Sequence, residues 1–149
     1  MMLISHRGNI NGKLPQRENS PDYIDEAIES GYLVEVDLWC IGDSLYLGHD
    51  EPQYETSFNW LYERNCWLWI HCKNKEALEF AINNRLHCFW HQDDDYTITS
   101  NGYVWAYPGK HQAGKNTILV MPEIHWPVDL IHQLPCFGVC SDFVGQIKA

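Results

Sequence analysis

The sequence has no basic excess: 20 acidic residues against 10 Lys and Arg leave a formal net charge of -10 at neutral pH. Nucleic acid and anionic membrane surfaces both require a concentrated basic footprint, so neither is expected as a partner. No apolar run approaches the roughly 18 residues that a membrane-crossing helix needs. The opening Met1-Met2-Leu3-Ile4-Ser5-His6-Arg7 is too short and polar for a secretory leader, and the expected compartment is the cytoplasm. The six cysteines (Cys40, Cys66, Cys72, Cys88, Cys136 and Cys140) contain no C-x-x-C, so buried free thiols are expected rather than a disulfide framework. Cys136 and Cys140 stand four apart with no second pair of zinc-finger spacing. Internal repeats, linkers and low-complexity tracts are also absent, and residues 1–149 are expected to form a single domain.

What the chain does have is polar residues at the ends of apolar strands. Residues 2–5 read as a short strand that delivers His6 and Arg7 before Gly8 breaks the pattern. Residues 9–19, rich in Asn, Gly, Pro and charge, read as a loop long enough to fold over a site. Ser20 then caps a helix with Pro21 at its first position, an apolar stripe of Tyr23, Ile24, Ala27 and Ile28, and Gly31 at its end. A strand over residues 32–39 follows at once, completing a β-loop-α-β unit whose strands should be parallel. Gly42-Asp43-Ser44 turns a small hairpin that leads to Gly48-His49-Asp50. Residues 56–65 read as a helix with Phe58, Leu61 and Tyr62 on one side, and residues 67–73 as a strand ending in the polar pair His71 and Lys73. Asn74 caps a helix over residues 75–84, with Ala77, Leu78, Ala81 and Ile82 toward the core, before a strand at residues 87–91. Beyond Gln92 come an acidic turn, strands within residues 96–99, 102–107, 118–121 and 137–140, and a helical turn or two at residues 128–133.

Strand and helix alternating through the first ninety or so residues imply a parallel sheet covered on its outer side. The fold class expected is α/β. Seven or so strands with polar C-terminal ends suit an abbreviated TIM-like (β/α) barrel, since a full one takes about 250 residues, with its helices reduced in the second half. An open doubly wound sheet is the alternative, though no glycine-rich phosphate loop follows the first strand.

Glu35 and Asp37 alternate with Val34, Val36 and Leu38, so the carboxylates share one face of an otherwise apolar strand. Two like charges about 4 Å apart repel by roughly 1 kcal/mol in water and about 4 kcal/mol at an effective dielectric near 20. A divalent cation, a solvated strand end or basic partners would each relieve them.

The polar residues form an ordered series: His6-Arg7-Gly8, Glu18-Asn19-Ser20, Glu35-x-Asp37, Gly42-Asp43-Ser44-Leu45 and His49-Asp50. This series resembles the glycerophosphodiester phosphodiesterase family, which carries H-R-G, E-N-T/S, E-x-D, a D-G-like turn and H-D in that order. The related phospholipase D toxins of spider venom share the two histidines and the E-x-D. The likeness is close over about the first fifty residues. Further on, Ile70-His71-Cys72-Lys73 is similar to the family's third-strand E-I-K, Gly138-Val139-Cys140-Ser141-Asp142 to its closing G-x-x-T-D, and Tyr103-Val104-Trp105 weakly to its W-T-V. Two departures stand out: His71 occupies the place of the family's third metal-binding carboxylate, and only about twenty residues separate His49 from the third strand, where the family often inserts a subdomain.

The resemblance implies a metal-dependent phosphodiesterase acting on a glycerophosphodiester-like small molecule, with His6 and His49 as acid and base. A neighbouring hydroxyl of the substrate would attack first, giving a cyclic phosphate. Glu35, Asp37 and His71 would hold Mg²⁺ or Ca²⁺, while the imidazole shifts preference toward Mn²⁺ or Zn²⁺. Arg7 and Lys73 would clamp the phosphate or pair with Glu35 and Asp37. Glu18 and Glu123 are substitute ligands or, alternatively, a loop hydrogen-bonding group and a solvated strand end. Trp105 and His91 line the mouth of the pocket or pack; His87, His111, His125 and His132 fall outside the site. Two rival readings remain: a non-catalytic phosphate-ligand binding module derived from the same fold, and a structural zinc protein using Cys and His.

Overall fold

The structure, a computed structural model, describes residues 1–110 and 114–147. His111 lies outside the described residues. The elements in chain order are β1 (Met2–His6), α1 (Pro21–Glu29), β2 (Leu33–Ile41), β3 (Ser44–Leu47), β4 (Tyr54–Thr56), α2 (Phe58–Glu63), β5 (Leu68–Cys72), α3 (Lys75–Asn83), β6 (Cys88–Phe89), β7 (Tyr96–Ile98), β8 (Val104–Ala106), β9 (Gly114–Val120) and β10 (Cys136–Ser141). The helices start where local chemistry predicts. Ser20 accepts the Tyr23 N–H at 3.3 Å with Pro21 beside it, and Asn74 accepts the Ala77 N–H at 3.0 Å. α2 is shorter than the expected 56–65, because Thr56 belongs to β4 and Ser57 caps the helix. Its Leu61 is buried while Phe58 and Tyr62 remain exposed.

The protein is a mixed α/β fold built on one sheet in the order β4-β3-β2-β1-β10-β9-β8-β7, with β5 pairing β2 off this path and β6 pairing β5. β2 is long enough to serve two partners. Residues 34–38 pair in parallel with β5, and residues 38–41 pair antiparallel with β3. The hairpin expected at Gly42-Asp43-Ser44 is the antiparallel pair β2-β3, extended by β4, and the parallel expectation is corrected at β7-β8, which is also an antiparallel hairpin. Short connections leave no room for a crossover helix there.

Nor does the ladder close among the described residues. β6 is only a two-residue strand, and it meets the β7-β8 region through the Ser100 N–H donated to Cys88 O at 2.8 Å and the Thr97 hydroxyl donated to Trp90 O at 2.9 Å. All three α-helices precede residue 84, and two 3-10 turns, Pro122–Ile124 and Val128–Gln133, serve the second half. No helix among the described residues is long and apolar enough to cross a membrane.

Three apolar layers follow from the two-residue period of the strands. Val34, Val36, Leu38, Leu68 and Ile70 pack outward against Ile24 and Ala27 of α1, Leu61 of α2, and Ala77 and Ala81 of α3. Leu119 and Val139 pack outward in the second half against Ile131 and Ile147. The inward faces supply Ile4, Trp69, Phe89, Trp105, Ile118, Val120 and Cys140. Two residues further along β1, β5 and β10, beyond Ile4, Trp69 and Cys140, the inward positions become His6, His71 and Asp142, with Glu35 and Asp37 at the matching level of β2.

Candidate functional site

Parallel pairing of β1, β2 and β5 sets His6 beside Glu35 and Asp37 beside His71. These residues line or underlie a cavity of about 650 Å³ whose walls also include Arg7, Glu18, His49, Lys73, Trp105 and Tyr107. Glu35 and Asp37 are 2% and 0% exposed, so the strand-end solvation considered for them is absent.

The two carboxylates are treated differently by their surroundings. Asn19 donates its amide N–H to Asp37 Oδ2 at 2.8 Å and accepts the Asp37 backbone N–H at 2.9 Å. Burial would push Asp37 up, but His49, His71 and Arg7 around it hold its pKa well below the usual carboxylate range. Glu35 has no comparable set of donors. Burial first and the Asp37 charge second push its pKa well above the usual value. Glu35 Oε2 and Asp37 Oδ1 accept no hydrogen bond among the described residues.

His71 faces both. Its Nε2 lies 2.9 Å from the His91 carbonyl oxygen, which only accepts, so Nε2 carries the proton in that bond. Nδ1 then faces Asp37 Oδ1 at 3.2 Å and Glu35 Oε1 at 3.8 Å, where it donates to Asp37 if it carries a proton and offers a lone pair if it does not. Three electron-rich atoms facing one another require a cation or a further proton between them. Donor atoms of Glu35, Asp37 and His71 lie within 4.8 Å of one another. Two carboxylates and an imidazole anchored by a backbone carbonyl fit a divalent ion such as Mg²⁺, Mn²⁺ or Zn²⁺, and the second bond fixes the orientation of the ring. Phe89 adds to this by stacking on His71 with ring centroids 5.0 Å apart.

His6 and His49 are tied at Nδ1 instead, in opposite senses. His6 Nδ1 is 2.7 Å from Asp142 Oδ1. Asp142 is held below its ordinary pKa, burial being outweighed by hydrogen bonds from His6 and Asn9, so the carboxylate accepts and His6 donates. That leaves His6 Nε2 as a base, 3.9 Å from Glu35 Oε2. His49 Nδ1 is 2.7 Å from Arg7 Nη2, a group that can only donate.

Arg7 is extensively engaged: Nη1 donates to Glu18 Oε2 at 3.2 Å and Nε lies 3.1 Å from Asp37 Oδ2. Glu18 further accepts from Asn9 at 3.0 Å, so it acts as the hydrogen-bonding group of the loop. Lys73 lines the cavity, and its charge pulls the Glu35 pKa down against burial. Glu123 stands apart from the cavity wall, its Oε1 accepting the Asp142 backbone N–H at 2.9 Å. Trp105 is buried in the inward apolar layer and reaches the cavity base. No cysteine joins a group of three metal-ligating side chains among the described residues.

Asp142, Asn9 and Asn19 are the participants that sequence reasoning left without roles. Asp142 closes the Gly138-to-Asp142 segment already noted as similar to a family strand, and Asn19 sits between Glu18 and Ser20 in another such motif. Asn9 offered only its nearness to His6. Comparisons with protein-family models, with curated proteins and with solved structures each return no match.

Proposed function

We propose that the protein is a metal-dependent phosphodiesterase that hydrolyses a glycerophosphodiester-like small molecule. The observation that supports it most is the convergence of unpartnered, buried carboxylate oxygens of Glu35 and Asp37 with His71 Nδ1, beside His6 in a cavity. The ordered motifs from His6 to Asp50 favour the same reading. In it, the open sheet is an abbreviated barrel, its polar strand ends gathered on one face as in larger (β/α) barrels.

Glu35, Asp37 and His71 would hold the ion, which when bound supplies a Lewis acid for a phosphoryl oxygen. The chain's own residues account for the proton traffic. His6, kept as the Nδ1–H tautomer by Asp142, removes the proton of a substrate hydroxyl at Nε2; His49, as the imidazolium, gives a proton to the leaving alkoxide. Such acid-base assistance is worth about 10² to 10⁴ in rate. Glu35 and Asp37 at the cavity base deny a second anion a place there until a cation offsets them.

The test is a turnover screen of small glycerophosphodiesters with Mg²⁺, Ca²⁺, Mn²⁺ and Zn²⁺, each repeated with chelator. Metal-dependent release of an alcohol, with a cyclic phosphate detected by ³¹P NMR, is expected. Absence of turnover together with absence of metal binding by calorimetry would overturn the catalytic reading in favour of a phosphate-ligand binding module that has lost its metal.

A further inference from the structure

We propose that Asn19 is a positioning residue of the metal site, its side-chain amide locking Asp37 as a ligand with one oxygen to offer. The site is thereby set against Ca²⁺ and in favour of a smaller transition ion such as Mn²⁺. This rests on the metal-dependent phosphodiesterase reading above.

The arrangement begins where β1 leaves β2. The Arg7 N–H donates to Glu35 O at 3.0 Å, and Arg7 then turns the chain away with a left-handed φ of 56°. The next main-chain donor on that side of β2, the Asp37 N–H, lies beyond the end of β1, and Asn19 Oδ1 accepts it at 2.9 Å. A backbone N–H can only donate, which settles the orientation of the amide and aims its Nδ2–H at Asp37 Oδ2, 2.8 Å away. Asn19 and Asp37 are 1% and 0% exposed, so water does not compete for either bond.

The other neighbours of Asp37 divide its two oxygens in the same way. Oδ2 also has Arg7 Nε at 3.1 Å and His49 Nδ1 at 3.6 Å. Oδ1 accepts no hydrogen bond among the described residues and faces His71 Nδ1 at 3.2 Å. Asp37 therefore presents Oδ1 to an ion and keeps Oδ2 for Asn19. Ca²⁺ gathers about six to eight oxygen ligands, often with both oxygens of a carboxylate. A single Asp37 oxygen, Glu35 and an imidazole nitrogen supply few oxygens in a rigid frame, and the nitrogen suits Mn²⁺ or Zn²⁺ better.

Holding the loop of residues 9–19 is a separate task, carried by the backbone of the same residue. The Asn19 N–H donates to Arg7 O at 3.1 Å, and its φ of 65° is one that glycine adopts without strain. Asn19→Gly thus removes both side-chain bonds and leaves that anchor in place. Asn19→Asp keeps an acceptor for the Asp37 N–H and puts an oxygen where the amide donor stood.

The experiment is calorimetric titration of the parent protein and both variants with Mn²⁺ and with Ca²⁺, and thermal melts in chelator. The parent should bind Mn²⁺ at least about tenfold more tightly than Ca²⁺. Asn19→Gly should weaken Mn²⁺ by about 10- to 100-fold and Ca²⁺ by less, because the released Asp37 can offer both oxygens. Asn19→Asp should strengthen Ca²⁺ relative to Mn²⁺, since its carboxylate adds an oxygen and frees Asp37 Oδ2. A merely structural role would lower the melting temperature and weaken both ions alike. A parental Mn²⁺-to-Ca²⁺ ratio retained in both variants overturns the proposal and leaves the phosphodiesterase reading standing. Equal affinity of the parent for the two ions also overturns it, without recourse to any variant. A parent that binds neither ion defeats the metal-dependent reading and the proposal together.

Discussion

The inward face of the sheet carries two layers two residues apart, made by the same strands and governed by different physics. The lower layer of Ile4, Trp69, Phe89, Trp105, Ile118 and Cys140 buries apolar surface without a charged group among its members. The upper layer of His6, Glu35, Asp37, His71 and Asp142 is almost as buried but sets carboxylates against carboxylates, leaving two oxygens unpartnered. Burial is therefore not what distinguishes structure from site in this molecule. Unresolved electrostatics is, and it requires the lower layer to hold the upper one in place. Mutations should separate the layers sharply. His6→Ala should lower phosphodiester turnover by about 10² to 10⁴ with thermal stability little changed. Near-parental turnover by a folded variant would remove the acid-base role from the upper layer.

Ile118→Ala tests the converse. This side chain is fully buried against Trp105 and its neighbours, and truncation leaves a cavity worth about 2 to 5 kcal/mol of stability. Denaturant melts should show that loss, while metal affinity at low temperature stays within a few-fold of parental. A variant that keeps its stability but loses metal would show that the two layers are not separable.

Much of this division was visible in sequence wherever one periodicity ruled. Val34, Val36 and Leu38 alternate with Glu35 and Asp37, so the two faces of β2 could be read before any coordinates, and Ser20-Pro21 and Asn74 marked helix starts by local hydrogen bonding alone. The second half was harder to read. β6 and β8 are too short for a period to emerge, and β9 begins four residues earlier than the apolar run at Ile118, at Gly114, which pairs with Cys136 of β10 before the register shifts. Closure failed for a related reason, since a two-residue strand offers too few backbone groups for a ladder. The site was legible in part. His6, Glu35, Asp37, His49 and His71 were named, but the Asp142-to-His6 bond joins residues 136 positions apart, and nothing local in sequence encodes such a pairing.

A smaller effect should appear with the opposite sign. Glu35→Gln replaces a buried carboxylate, pushed up by burial and by Asp37, with a neutral isostere that can donate. In metal-free protein at neutral pH it should raise stability by about 1 kcal/mol, since the like-charge pair is relieved, while metal-dependent activity is lost. Calorimetric melts with chelator check the first part and metal titration the second. Destabilisation in the metal-free state would mean that the upper layer is not electrostatically strained.

An effect of comparable size places a titration against the lower layer. His87 packs on Trp69 with ring centroids 4.2 Å apart, lies 2.8 Å from the Thr99 hydroxyl through Nε2, and is lowered by burial to a pKa of about 4. The folded protein keeps this ring neutral, whereas the unfolded chain takes up a proton near pH 6.5. Its stabilisation is therefore complete above pH 6.5 and is lost as pH falls toward about 4. The partial exposure of the ring reduces the effect to about 1 to 2 kcal/mol. Asp37 and Asp142, both held below their ordinary value of 3.8, lose their contributions only at still lower pH, and Glu35, held high, acts in the opposite sense by favouring the folded state as pH falls. The parent-minus-His87→Gln difference in unfolding free energy cancels those upper-layer terms. Between pH 7 and pH 4 that difference should change by about 1 to 2 kcal/mol in the direction of parental destabilisation at acid pH. A flat difference would show that the acid sensitivity of the fold belongs to the upper layer alone.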